Sequence, residues 1–499
     1  MNLRNLLLSF AAIAASPLFA ATYYVSPNGA GEKDGSSWDN ALDTEGFQAK
    51  AASNENGDIY NFAGGVYQPS THIIFKTGAI LNGNSDGQRS IFSGDKDNNN
   101  NPDDGDMNRL IRFEAKSQNV EINNLDFTCV YTNSSDAALS VGALMIEAST
   151  NVKINGCRFY GNWSNGTQGG APCHLNASIV KFTECIFSNN SANYRGAAIR
   201  IKSNVNKTGY TTFEKCVFKN NTNYHNMGII FVSHSMEVNL INCILSGNES
   251  KGTSNASTIF INTPNTNYEN QLTIINSTIA GNTPSQIGFN GKGANLRMVN
   301  SMITGSESTD AIDFNADEDF VNVKSGGYNY VGPISVGEFW QDTDNHGTDC
   351  TYASIFGDNT LNNNNQLIPV QYIAGASGDQ VKAATEEWGL PDDLSLTTDA
   401  AGNIRAAGMT PGANSFTEAQ IKDFTTSVIT VINDAENTPH LVKVANSVYT
   451  VEGTTEGITV YTVNGATVAA TSSNTVDLSS FANGLYILKS GNAIFKIMK

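Results

Sequence analysis

Between residues 151 and 282 the chain repeats one phrase five times, and few folds accept such a pattern. The copies are NVKINGCRF (Asn151–Phe159), IVKFTECIF (Ile179–Phe187), TFEKCVF (Thr212–Phe218), VNLINCIL (Val238–Leu245) and LTIINSTI (Leu272–Ile279). Their Cys157, Cys185, Cys216, Cys243 and Ser277 follow one another at steps of 28, 31, 27 and 34 residues. Five positions after each stands an asparagine: Asn162, Asn190, Asn221, Asn248 and Asn282. Weaker copies flank the series at Val120–Phe127 and Leu296–Ile303. A period of this length describes stacked supersecondary units, each burying its apolar face against the next.

A second apolar segment accompanies each copy: Ala143–Ile146, Cys173–Leu175, Ala198–Ile201, Ile229–Val232 and Thr258–Ile261. These segments are short, alternate in and out, and are bounded by Gly, Asn and Ser, so they read as strands joined by turns. Two or three strands per turn of about 30 residues predict an all-β chain wound as a parallel β-helix. Its coils would stack about 4.8 Å apart with equivalent side chains in ladders. The cysteine row then points inward as small apolar thiols. Stacked cysteines lie near enough for a disulfide, but their parallel side chains and the odd total of seven favour a buried reduced stack. The asparagine row is expected at the turns, where Asn tolerates left-handed backbone and bonds its stacked neighbours.

With 47 acidic against 29 basic residues, a net charge of −18 disfavours nucleic acid and anionic bilayers as partners. Residues 1–20 read as a secretory signal, with Arg4, an apolar stretch from Leu6 to Ala15, and the small-residue exit Leu18–Ala20. No segment is long and apolar enough for a transmembrane helix. Asp95, Asp97, Asn99, Asn101, Asp103 and Asp106 place oxygen donors at the alternating positions a hard cation such as calcium needs. Asn100 stands where an EF-hand loop has Gly, and Asp106 where it has a bidentate Glu.

The opening YYVSPNG (Tyr23–Gly29), DGSSWDNAL (Asp34–Leu42) and the stretch Gly57–Tyr67 read as strand, turn, short helix and strand, suited to capping the open end of a coil. Together with SGGYN (Ser325–Asn329), DAAGNIR (Asp399–Arg405) and PGA (Pro411–Ala413), this opening resembles exported β-helix proteins of Bacteroidetes. Those are related in fold to pectate lyases and polymorphic outer-membrane proteins. The resemblance covers most of residues 22–415 and implies a right-handed parallel β-helix; it says little about activity. In the tail, GITVYTVNG (Gly457–Gly465), Val476–Lys489 and Ile494–Lys499 alternate in short strands and predict a small C-terminal β-sandwich. This tail resembles the C-terminal sorting domain of the type IX secretion system. The secretion machinery is thereby implied as a partner, and a secreted or outer-membrane-surface location follows. The expected division is 1–20 signal peptide, 21–118 N-terminal cap and first coils, 119–305 regular repeats, 306–430 degraded coils and C-terminal cap, and 431–499 linker and sandwich.

If Ile146, Leu175, Ile201, Val232 and Ile261 point inward, the row Met145, His174, Arg200, Phe231 and Phe260 points outward. So does the row Glu147, Asn176, Lys202, Ser233 and Asn262, while turns add Trp163, Tyr194, Arg195, Tyr224 and His225. Aromatic faces beside cations and amides suit a polysaccharide or cell-surface glycan, since rings stack on sugar C–H faces and polar groups read hydroxyls or carboxylates. The ligand-binding candidates are Trp163, Asn176, Tyr194, Arg195, Tyr224, His225, Phe231 and Phe260. A non-catalytic, adhesin-like glycan binder stands first. The alternative is a polysaccharide lyase acting on a uronate polymer, with His174, Arg200 and Lys202 as candidate catalytic residues. A glycoside hydrolase wants two carboxylates across one cleft, and these central outer rows offer only Glu147.

Overall fold

In the computed structural model the chain winds into a parallel β-solenoid, followed by two small antiparallel sheets. The structure describes residues 20–133, 142–166, 172–203, 209–252, 256–263, 269–291, 293–305, 309–314, 321–334, 339–426, 440–445, 447–462, 466–482, 484–491 and 493–499. Nearly all of the expected signal segment therefore lies outside the described residues, as does the Asn464–Gly465 turn. Among the described residues, no helix is long and apolar enough to cross a membrane.

Three long parallel sheets line the solenoid. Among the described residues sheet 1 has eleven strands, from Thr22–Val25 to Val321–Ser325; sheet 2 has eleven, from Gly65–Tyr67 to Asn345–His346; sheet 3 has nine, from Ile73–Phe75 to Ile312–Asp313. A corner sheet of five two-residue strands, Tyr131–Thr132 to Glu249–Ser250, lies between sheets 2 and 3 in chain order. Alternation decides which side chains enter. Val152, Ile154, Cys157 and Phe159 are buried, while Lys153, Arg158 and Tyr160 face outward.

Like stacks on like inside. Phe127, Phe159, Phe187 and Phe218 form a column with successive ring centroids 4.9, 4.9 and 4.6 Å apart. The N–H groups of Ile186, Val217 and Ile244 donate to the carbonyls of Cys157, Cys185 and Cys216, each at 2.9 Å. The cysteines thus sit one coil above another, buried and unbridged. Burial pushes the thiols of Cys157 and Cys216 up.

The asparagine row forms a buried amide ladder. Nδ2 of Asn162, Asn190, Asn221 and Asn248 donates to Oδ1 of the next coil's asparagine at 3.0, 2.9, 2.9 and 2.8 Å. The same Oδ1 atoms also accept the backbone N–H of the preceding asparagine. In one respect the sequence expectation needs correcting. The left-handed backbone belongs to the residue just before, Gly161, Asn189, Asn220, Gly247 and Gly281, with φ of 61, 54, 54, 68 and 68°. That turn aims the following asparagine inward, so its amide pairs within the core rather than at the surface.

At the N-terminal end a helix, Thr44–Ala51, lies over the first coil. Asp43 caps it by accepting Gly46 N–H at 2.7 Å, and Phe47 packs its ring 5.1 Å from Tyr60 and 4.9 Å from Phe62. At the other end Ile334, Phe339 and Trp340 pack against the core. The segment after residue 346 then turns back along the solenoid flank instead of stacking on that end. Lys181 Nζ pairs with Asp393 at 2.9 Å, Ser395 N–H donates to Glu214 at 2.7 Å, and Asn276 Nδ2 donates to the Leu396 carbonyl at 3.1 Å. This strap carries the short helices Tyr352–Phe356, Gly378–Thr385 and Glu418–Thr426. Beyond it, a three-stranded and a four-stranded antiparallel sheet share one core, including Leu441, Val451 and Val476 from the first and Val460 and Leu488 from the second.

Replacing one rung of the amide ladder, Asn221→Ala, removes bonds to two coils and leaves buried partners unpaired. A loss of about 1–3 kcal/mol in denaturant unfolding is expected, against no measurable change for the exposed Asn364→Ala.

Candidate functional site

Where sheet 2 meets the corner sheet, outward side chains border an open groove of about 500 Å³. Its floor is Val66 and Ile91 with Tyr160 and Asn189, its wall is Asn100, Asn101 and Pro102, and Trp163 and Tyr224 line it further along. Strand alternation places these groups: Phe159 points in and Tyr160 out, Ser164 in and Trp163 out. Tyr131 meets the Trp163 ring edge-on at 5.6 Å, and Lys251 Nζ lies 4.9 Å from the Tyr224 ring centre. Tyr224 is 49% exposed, whereas Trp163 Nε1 is buried and has no hydrogen-bond partner among the described residues. Sequence reading singled out Trp163 and Tyr224 but missed Tyr160, Val66 and Ile91. Period-two alternation would have turned Tyr160 outward, had it been applied to sheet 2 as it was to sheet 3.

The groove wall is the rim of the acidic loop, which leaves the solenoid between the strands Ser90–Ser93 and Ile111–Phe113. Gln68 of the preceding coil anchors it, Nε2 donating to the Asp95 carbonyl at 2.6 Å and to Asn98 Oδ1 at 2.8 Å. Asp95 accepts the N–H groups of Asn99 and Asn100, while Asn99 Nδ2 donates to Asp97 and Asp103. Carboxylate oxygens of Asp95, Asp97 and Asp106 come within 4.8 Å of one another. Burial, with repulsion from Asp103 and Asp95, holds the Asp106 carboxyl above its ordinary range. A hard divalent cation would suit this cluster, because it offsets the repulsion. Asn99, Asn101 and Asp103 lie in the same loop but bond within it.

The outward row of sheet 3 keeps the expected register. Met145 pairs with His174, His174 with Arg200, Arg200 with Phe231, and Phe231 with Phe260. Asn176 likewise sits beside Lys202. The row is not an open face, however: His174, Arg200, Phe231 and Phe260 are all buried, none more than 4% exposed. Arg195 helps to cover it, its guanidinium 5.8 Å from the Phe231 ring centre and 5.0 Å from that of Tyr194. Tyr194 in turn meets the His225 ring at 4.9 Å. Phe231 and Phe260, expected as sugar-stacking platforms, are thus packed side chains, 6.1 Å apart.

Electrostatically this face differs from the acidic whole. Burial, then Arg200, Lys202, Arg109 and Arg195, holds the His174 imidazole well below its ordinary value. Burial, then Arg195, lowers the Arg200 guanidinium to about 9. Burial, then Arg200 and Arg195, also lowers Lys202. Sequence reading found these three side chains together, and the structure keeps them together, with His174 and Arg200 beneath the surface and Lys202 half-buried at its edge.

No family model matches the chain, and no curated protein matches it. A solved structure of bacteriophage CBA120 tailspike protein 3 aligns at 12% identity over 65% of this chain, with a TM-score of 0.20. The alignment spans 59% of that tailspike chain.

Two outcomes are expected from this geometry. Added calcium should raise the thermal unfolding midpoint of the native protein, and chelation or Asp95→Asn with Asp106→Asn should abolish the rise, as read by calorimetry. Because His174 is held neutral, the stability it supports is present above its unfolded value near 6.5 and is lost as pH falls below it. The denaturation midpoint should therefore drop between pH 7 and 5, and drop less in His174→Leu.

Proposed function

We propose that the protein is an exported, glycan-binding β-helix protein that holds a saccharide in the groove beside Trp163. The groove itself carries this reading: about 500 Å³ of open space on a rigid sheet, bordered by Tyr160, Trp163 and Tyr224 and by the amides of Asn100, Asn101 and Asn189. Ring faces take sugar C–H surfaces, amides bridge hydroxyls, and a scaffold tied coil to coil loses little entropy on binding. Calcium in the adjacent loop would set the wall that Asn100 and Asn101 form. The N-terminal signal pattern and the tail's resemblance to a sorting domain support delivery to the cell exterior, where glycans are met.

The lyase alternative is less favoured. A base acting on a uronate must reach a ring C–H, and His174 and Arg200 are buried away from a polymer. Glycan-array and calorimetric binding should show saturable affinity for at least one glycan. Trp163→Ala and Tyr224→Ala should each weaken it about tenfold or more, the scale of one lost stacking contact with its buried area. Absence of binding to any glycan, or binding untouched by both changes, would sink the proposal; unsaturated products from a uronate polymer would restore the lyase.

A further inference from the structure

A second groove lies on another face, over the outward side of sheet 1. Two cavities of about 470 and 210 Å³ share Tyr210, Glu237, Gln271 and Arg297 and so form one channel. Its floor is a registered row: Tyr210 pairs with Glu237, Glu237 with Gln271, Gln271 with Asn295, and Asn295 with Asn322. A parallel row, Thr212, Asn239, Thr273, Arg297 and Lys324, runs beside it. Consecutive coils therefore present a hydroxyl, a carboxylate and amides in line, at the roughly 4.8 Å spacing of parallel strands. The strap supplies the opposite wall with Trp388, Gly389, Leu390 and Pro391. Arg297 Nη1 donates to the Trp388 carbonyl at 2.8 Å and fixes that wall to the floor.

Two buried groups at the strap end have no partner among the described residues: Thr273 Oγ1 and Trp388 Nε1. Both residues line the channel, and their side chains are at least 95% buried. A buried donor or acceptor left unpaired is costly, so these two groups at the channel wall call for a partner from the channel, a water or a hydrogen-bonding ligand. Glu237 and Glu269 are exposed along the same channel, and Arg297 is held by the wall. Within the lining two exposed carboxylates stand against Arg297, which is already bonded to the wall, and Lys324 lies beyond the lining in the next coil, so hydroxyls rather than a polyanion are what this lining reads.

We infer that this channel is a second saccharide site, taking a linear, uncharged oligosaccharide along the solenoid axis. One sugar face would rest on Tyr210, Glu237 and Gln271 would bond hydroxyls, and the Trp388 indole and Thr273 hydroxyl would close the far end. The site does not rest on the Trp163 groove, which lies on sheet 2 and the corner sheet and shares no residue with it.

The indole N–H signals of the full-length protein test it, with Trp388 and Trp163 assigned by Trp388→Phe and Trp163→Phe. Cellohexaose, mannohexaose, xylohexaose and hexagalacturonate are the probes. A neutral probe should move the Trp388 signal saturably. Tyr210→Ala and Gln271→Ala should each weaken that response about tenfold without altering the Trp163 signal. No movement of the Trp388 signal with any neutral probe, a response unchanged in both variants, or tighter binding of hexagalacturonate would each overturn the inference. Movement of the Trp163 signal alone would overturn it while leaving the first groove standing.

Discussion

The backbone bond from one coil to the next is the constraint on which this molecule rests. Among the described residues a solenoid strand pairs not within its own coil but with the equivalent strands above and below, which satisfy its N–H and C=O groups. Such pairing works only if successive coils stay in register. Side chains then stack on copies of themselves, and an error at one level is repeated at the next. The Phe127–Phe218 column, the cysteine row and the Asn162–Asn282 ladder all follow from that pairing. The amide ladder adds a side-chain bond at each step, in a core where an unpaired amide would be costly.

Stacked coils leave two ends, and each is an exposed edge. Phe47 and its helix cover the first, while Ile334, Phe339 and Trp340 pack near the last. The strap does something else. By running along the flank and bonding Asn242, Asn276 and Asn300, it ties distant coils together and builds one wall of a channel that the sheets alone would leave open.

Each outward face acquires its own chemistry because outward positions are free of the stacking rule. Sheet 2 and the corner gather aromatic rings beside the acidic loop, sheet 1 carries hydroxyls, amides and carboxylates, and sheet 3 gathers basic side chains, His174 and Arg200 buried among them, within an acidic protein. On sheet 3 the cost of burying charge shows in the lowered Arg200 and His174 values, so that face is better suited to packing than to meeting a polymer.

What the residues alone determined is the coil, its inward rows and the register of its outward ones, because period-two alternation and a repeat of about 30 residues are local facts that every coil restates. Trp163 and Tyr224 could be picked out as aromatic residues at the turns that follow the repeated strands. Burial of His174, Arg200, Phe231 and Phe260 could not, since alternation says which way a side chain points but not what lies over it. The return of residues 376–413 along the flank was equally hidden, for it depends on contacts such as Ser395 to Glu214 and Ala376 to Asn300, between residues far apart in the chain. Tertiary structure alone therefore decided which faces are open, because openness depends on segments that carry no repeat and are placed by long-range contacts.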